Sequence, residues 1–412
     1  MATPANPALH AVPSRSDGAP GLERPRRVAL LGCTGSVGAA ALAVLRRLGP
    51  GFELYAVSAR SRLEALLACS REFRPRRVVL CEPAAARGYA AAGGCGDVSV
   101  GDEALADLAA DPAVDIVVNA LVGSVGLLPT LRALEAGKRV ALANKEALVM
   151  GGGLVRRALE RGGGELIPVD SEHSSLFQLL EGRPASQVRR LVLTASGGPF
   201  RGRTRAELAG VTVDEALAHP TWSMGPKVTV DSATLANKGL EIIEAHVLFD
   251  VPYPAISVVI HPQSVVHGLV ELADGSFLAH LGRPTMELPV QYALTYPERM
   301  ELPPARLSLR ELGSLSFEAA DESAFPALAL ARAAGEAGGT CPAVFNAANE
   351  AANLAFREGR IGFGEIHDVL AHALEQVTPE PVHEVADVLR ADMAGRSAAW
   401  RWVENATLAR KS

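Results

Sequence analysis

Three carboxylates and one lysine have the types and spacing for metal-assisted chemistry. Asp170 and Glu172 flank Ser171 directly after the strand-like run Leu166–Val169. Glu241 lies in the helical stretch Asn237–His246, four residues after Asn237 and therefore on the same side of the helix. An oxygen-only donor set of this kind suits a hard divalent cation such as Mg²⁺ or Mn²⁺. Two plainer alternatives stand beside it. Carboxylates at strand ends often cap helices, and a polar pair beside the apolar stripe Leu240, Ile243, Val247 and Leu248 usually faces solvent. No cysteine or histidine cluster with zinc spacing competes. Lys145, in Asn144-Lys145-Glu146, follows a strand at the edge where open α/β sheets bind ligands, although most lysines are simply solvated.

A second set of residues suits anions. Gly32, Gly35 and Gly38 form a G-x-x-G-x-x-G turn between the strand Arg27–Leu31 and a helix over Ala39–Leu48. Glycine there permits a tight turn and close approach to a pyrophosphate, whose charge faces the N–H groups at the helix start. The same small residues could serve packing alone. The second strand ends in Ser58-Ala59-Arg60-Ser61-Arg62, which has cations where an NAD site usually has an acid, so NADP(H) is the expected cofactor. Ser196-Gly197-Gly198, Ser232 and Asn237-Lys238-Gly239 group hydroxyls, an amide and an ammonium at turns, a composition that binds phosphate, although serine beside glycine also marks ordinary turns. His219-Pro220-Thr221-Trp222-Ser223-Met224-Gly225-Pro226 has the makings of a lid over a ligand, or of a loop anchored by a buried tryptophan.

The elements that must position these groups alternate. Short apolar strands over Arg27–Leu31, Phe52–Ser58, Val78–Cys81, Val114–Asn119 and Arg139–Leu142 are separated by helical stretches, the signature of βαβ units and a parallel sheet. The fold class expected is α/β, organised in parts. Residues 1–26 form a disordered N-terminal extension. A Rossmann-like NADPH-binding domain covers 27–165. A connective catalytic domain with the metal and substrate site covers 166–295. A linker runs over 296–320, and a helical C-terminal domain covers 321–412. Strands are expected at Leu191–Thr194, Ile256–His261 and Val265–Leu272, and helices at Ala327–Ala337 and Ala343–Arg357.

The composition excludes several classes. A chain of 412 residues with 48% hydrophobic and 21% charged residues has enough apolar surface for more than one core. No apolar run reaches membrane-helix length. A net charge of −6 argues against a nucleic-acid partner. The five scattered cysteines suggest a reducing compartment. The first 26 residues lack a secretory apolar region, which leaves the cytoplasm expected and organelle import a minor alternative.

Taken in order, Gly32-Cys33-Thr34-Gly35-Ser36-Val37-Gly38, Leu142-Ala143-Asn144-Lys145-Glu146, Val169-Asp170-Ser171-Glu172-His173-Ser174, His219 through Gly225, Asn237-Lys238-Gly239-Leu240-Glu241, Ile260 through His267 and Asn346-Ala347-Ala348-Asn349-Glu350 resemble the 1-deoxy-D-xylulose 5-phosphate reductoisomerase family across nearly the whole chain after residue 26. The resemblance implies a homodimer that rearranges and reduces a small sugar phosphate in the non-mevalonate isoprenoid pathway, using NADPH and Mg²⁺, Mn²⁺ or Co²⁺. It implies that Asp170, Glu172 and Glu241 hold the metal and act catalytically with Lys145. It implies that Thr34, Gly35, Ser36, Val37, Arg60, Ser61, Asn144, Glu146 and Gly225 line the cofactor. Substrate contacts would come from Lys145, Ser171, Glu172, Ser196, His219, Trp222, Met224, Ser232, Asn237, Lys238 and Glu241. Cys33, Thr221, His280, Thr285 and Glu287 depart from the family's usual residues. Two other readings are a different NADP-dependent dehydrogenase, which needs no carboxylate trio, and a non-catalytic nucleotide-binding paralogue.

Overall fold

A computed structural model describes residues 24–222, 224–303 and 306–410. The expected disordered extension therefore lies almost wholly outside the described residues. Its last residues are within them: Arg24 forms a two-pronged ion pair with Asp115 at 2.7 and 2.8 Å, and Arg26 begins the first strand.

The described strands, in chain order, are β1 (Arg26–Leu31), β2 (Phe52–Ala59), β3 (Arg77–Leu80), β4 (Asp97–Val100), β5 (Ile116–Asn119), β6 (Arg139–Leu142), β7 (Glu165–Pro168), β8 (Val188–Ala195), β9 (Ile256–Ile260), β10 (Val266–Leu272), β11 (Phe277–Leu281) and β12 (Glu318–Ala319). They form two sheets. The first has the order β4-β3-β2-β1-β5-β6-β7 and every pairing is parallel. The chain departs from β1 toward β2 on one side and returns to β5 on the other, so the strand order reverses at the β1/β5 crevice, where α/β sheets bind ligands. The second sheet has the order β11-β10-β8-β9-β12 and is mixed, with only β8 and β9 parallel.

The chain divides into two compact units. One contains the described residues up to Ala147 with Val155–Ser174 and Thr285–Ala305; the other contains Leu148–Leu154, Ser175–Pro284 and the described residues from Arg306 onward. The first unit holds the parallel sheet. Val28–Leu31 of β1, Val78–Leu80 of β3 and Ile116–Val118 of β5 are apolar and almost fully buried, as strands covered on both faces require. The second unit holds the mixed sheet and a helical cluster that includes Ala327–Ala337, Cys341–Arg357, Ile366–Gln376 and Val385–Ala409. Small residues let these helices approach closely: a Cβ on Gly239 would lie 2.4 Å from the Cβ of Ala331, and one on Gly395 would lie 3.0 Å from the Val344 backbone.

Three elements differ from the sequence reading. Leu166–Val169, grouped there with the second region, lies in β7 up to Pro168, and β7 pairs with β6 as the edge of the first sheet. Helix Glu287–Thr295 belongs to the first unit, where Arg47 reaches Glu287 at 2.5 Å. β4 escapes a hydrophobicity reading because three of its four residues are exposed.

Candidate active site

The glycine turn sits at the sheet's switch point. Gly32 adopts φ +85°, and a Cβ there would meet the Ala120 carbonyl oxygen at 2.7 Å. Its N–H donates to Ser58 Oγ at 3.0 Å, and the Cys33 N–H donates to the Ser58 carbonyl at 2.9 Å, tying the turn to the end of β2. A Cβ on Gly38 would lie 2.3 Å from the Gly32 carbonyl oxygen. Glycine at 38 is thus what lets helix Ser36–Leu48 start against the turn. Gly35 and Ser36 are exposed and no side chain caps the helix start, so its first amides face outward as an anion cradle. Arg62 steadies the turn by donating to the Thr34 carbonyl at 3.0 Å. Arg60 is largely exposed and, among the described residues, pairs with Glu82 at 3.3 Å, and Ser61 beside it is exposed. The cradle, the exposed cations and the absence of an acid between Ser58 and Arg62 together fit NADPH.

Asn144 organises the next loop. It is fully buried, caps helix Lys145–Gly162 by accepting from the Ala147 N–H at 3.1 Å, and donates to the carbonyls of Leu121 and Gly123 and to Glu146. Asn119, which sequence reasoning missed, does similar work from the end of β5: it donates to the Gly126 carbonyl and accepts from the Leu121 N–H. An Asn ending a strand at the switch point was the available signal.

Lys145 and Asp170 follow β6 and β7 at the same carboxyl edge of the sheet, and their charged groups pair at 2.5 Å with both side chains largely buried. The ring of His173, one turn into the next helix, stands 3.5 Å from the other Asp170 oxygen. Ser171 Oγ donates to Glu172 at 2.6 Å. Asp170 directly precedes helix Ser171–Leu180, and its carboxylate is engaged by the Lys145 ammonium.

In the second unit, Ser196 pairs with His219, and the loop after Ser196 packs against the backbone of Ser232. Nδ1 of His219 accepts the backbone N–H groups of Thr221 and Trp222 at 3.1 and 2.9 Å, so in the neutral ring Nε2 carries the proton and donates to Ser196 Oγ at 2.9 Å. Burial pushes the His219 pKa down, which favours this neutral form. Gly198, at φ +64°, brings its loop to within 3.0 Å of the Ser232 carbonyl, measured from the Cβ it lacks. Trp222 is part-buried and faces the His267 ring at 6.3 Å, and Met224 is likewise part-buried.

Asn237, Lys238 and Glu241 share one face of helix Ala236–Phe249. Lys238 donates to Glu241 at 2.6 Å, and Asn237 donates to the other oxygen. Glu241 is 1% exposed, which overturns the solvent-facing alternative for the carboxylate, while Asn237 is part-buried. A buried carboxylate oriented by an ammonium and an amide is a hard oxygen donor that fits a hard cation. Among the departures, Thr221 contributes its backbone to His219, His280 Nδ1 meets Ser175 Oγ at 3.0 Å, and Thr285 accepts the Glu287 N–H at 3.2 Å.

Known proteins resemble this chain along its length. Family models described as 1-deoxy-D-xylulose 5-phosphate reductoisomerase and its C-terminal domains match residues 28–152, 166–249 and 281–398. The 1-deoxy-D-xylulose 5-phosphate reductoisomerase of Aromatoleum aromaticum is 50% identical over 385 residues, covering 91% of this chain and 96% of the relative. That of a Geobacillus species is 50% identical over 351 residues, covering 85% and 92%. The solved structure of the Zymomonas mobilis reductoisomerase in complex with NADPH superposes with a TM-score of 0.86 at 40% identity, covering 92% of this chain and all of that one. A DOX-P reductoisomerase in complex with NADPH, fosmidomycin and magnesium gives 0.85 at 39%, covering 92% and 98%. With its glycine cradle, its Lys145–Asp170 pair and its likeness to these proteins from end to end, the chain belongs to the 1-deoxy-D-xylulose 5-phosphate reductoisomerase family.

Proposed function

We propose that the chain converts 1-deoxy-D-xylulose 5-phosphate to 2-C-methyl-D-erythritol 4-phosphate, with NADPH and a divalent metal, as a step of the non-mevalonate isoprenoid route. One observation carries the reading: the anion cradle after β1 and the Lys145–Asp170 pair after β6 and β7 open at the same edge of one parallel sheet. A cofactor and a reacting group held along that edge share one site.

Asp170, Glu172 and Glu241 hold Mg²⁺, Mn²⁺ or Co²⁺. Thr34, Gly35, Ser36 and Val37 bind the pyrophosphate, Arg60 and Ser61 the 2′-phosphate, and Asn144, Glu146 and Gly225 complete the cofactor's surroundings. When bound, the metal supplies Lewis acidity to the ketone and hydroxyl oxygens of the substrate, and NADPH supplies the hydride. Lys145 keeps an ammonium beside the reacting hydroxyls, where it stabilises charge as a carbon–carbon bond is broken and re-formed to give an aldehyde. Ser171 and Glu172 hold the substrate's oxygens. Ser196, His219, Ser232, Asn237 and Lys238 bind the phosphate through hydroxyl, ring N–H, amide and ammonium donors. Trp222 and Met224 close over the substrate, exclude water and convert phosphate binding into alignment at the far end. The protein works as a homodimer in the cytoplasm, where a reducing environment keeps its five free cysteines as thiols.

The test is loss of NADPH absorbance with purified protein, 1-deoxy-D-xylulose 5-phosphate and Mn²⁺. Oxidation abolished by a chelator and yielding the methylerythritol phosphate supports the reading. A folded, NADPH-binding protein that does not oxidise NADPH with this substrate refutes it.

A further inference from the structure

Helix Pro226–Ala233 carries Ser232 and follows the Trp222–Met224 loop directly, yet it has only eight residues, too few to be stable by itself. What holds it is a polar stripe on helix Cys341–Arg357. Asn346, Asn349 and Asn353 recur there at the i, i+3, i+7 spacing of one helix face, with exposures of 0%, 0% and 1%. Asparagine is a poorer helix former than alanine, and burying its amide is unfavourable unless the amide is hydrogen-bonded. An alanine-rich buried helix has no packing reason to carry three of them.

Two of the three converge on a single carboxylate. Asn349 Nδ2 and Asn353 Nδ2 donate to Oδ1 of Asp231 at 3.0 and 2.7 Å, and Asn353 Nδ2 also lies 2.8 Å from the Lys227 carbonyl oxygen. Asp231 is 1% exposed, and its second oxygen stands 3.1 Å from the Lys227 ammonium one turn earlier. The Asp231 carbonyl accepts from Thr234 Oγ1, which fixes the turn leaving the helix. The long helix thus grips the short one at its first turn and at the residue immediately before Ser232.

We infer that Asp231, held by Asn349 and Asn353, is a positioning residue for the phosphate end of the substrate. This rests on the reading that Ser232 is a phosphate ligand. Asp231 itself touches neither substrate nor cofactor. Its carboxylate sets where the Ser232 backbone and hydroxyl stand, and where the loop bearing Trp222 and Met224 is anchored. Asn349 and Asn353 thereby have a purpose in the reaction although they lie more than a hundred residues along the chain from the groups they serve.

The test compares steady-state kinetics of the wild-type enzyme with Asp231→Asn, Asn353→Ala and the exchange variant Asp231→Asn/Asn353→Asp, each checked for cooperative melting. Asp231→Asn sets amide against amide, and the expected result is a rise of roughly tenfold or more in KM for 1-deoxy-D-xylulose 5-phosphate, with KM for NADPH within about twofold of wild type. Asn353→Ala, the milder change, gives a smaller rise in the same constant and carries the test if Asp231→Asn does not fold. The exchange variant, which restores a carboxylate facing an amide, recovers part of the loss. A merely structural role would lower the amount of active protein and leave both KM values alone; that outcome, with an active wild-type enzyme, overturns the inference and spares the functional reading. An inactive wild-type enzyme is seen before any variant is compared and overturns both.

Discussion

Gly38 stands so close to Gly32 that a single methyl group on it would lie 2.3 Å from the Gly32 carbonyl oxygen. The contact is between backbone segments, so no side-chain rotation relieves it. Gly38→Ala therefore shifts the helix start away from the turn, at a cost of about 1–3 kcal/mol in stability. The dissociation constant for NADPH, followed by cofactor fluorescence, is expected to rise roughly tenfold or more. Unchanged NADPH affinity would mean that the cradle does not hold the pyrophosphate.

The pairing of Lys145 with Asp170 predicts a different signature. Lys145→Ala leaves the glycine turn untouched, so NADPH binding persists while kcat falls roughly 10²–10³-fold, the usual loss when a charge-stabilising group is removed. Lys145→Arg does not restore the rate, because a planar guanidinium does not replace a compact ammonium. Stopped-flow single turnovers separate the two steps, and a variant with normal kcat would remove Lys145 from the chemistry.

Metal dependence should track Glu241. A chelator is expected to abolish turnover and added Mg²⁺ or Mn²⁺ to restore it. Glu241→Gln removes the charge while keeping the shape, and the metal concentration for half-maximal activity is expected to rise at least roughly tenfold. Wild-type metal titration by this variant would take Glu241 out of the ligand set.

Cofactor choice should depend on Arg60. Its pair with Glu82 is exposed and therefore weak, which leaves the guanidinium available to a phosphate. Arg60→Ala is expected to raise KM for NADPH severalfold and to leave KM for NADH unchanged. Equal effects on both cofactors would show that Arg60 does not read the 2′-phosphate.

A pH effect follows from His267. Burial, and secondarily the nearby His280, pushes its pKa down to about 4 from an ordinary 6.5. Between these values the unfolded chain binds a proton that the folded chain refuses, so stability is full above about pH 6.5 and is lost progressively as pH falls toward 4. The difference amounts to about 3 kcal/mol at most. Melting temperatures measured across this range should fall less steeply in His267→Gln; parallel curves would contradict the assignment.

The parallel sheet was legible because most of its strands are short apolar runs separated by helical stretches, and Arg139–Leu142 was read with its observed bounds. β4 was not legible, since an exposed edge strand has no hydrophobic pattern to read. Within the site, the glycine turn and the residues after β6 and β7 could be recognised locally. The burial of Glu241 could not, because its exposure is decided by packing from distant parts of the chain rather than by its own helix. For the same reason Asn349 was visible within the motif Asn346–Glu350 while Asn353 and their shared partner, Asp231, were not.

The β1–β5 pairing also sets a schedule for synthesis. Val28 and its partner Ile116 are 88 residues apart, and Ala120, whose carbonyl closes over Gly32, follows still later. The turn that opens the chain stays unfinished on the ribosome until four further strands have been made. Such non-local closure slows folding and leaves strand edges open meanwhile. NADPH can recognise the nascent protein only after that closure, which makes cofactor capture a marker of when the first sheet is complete.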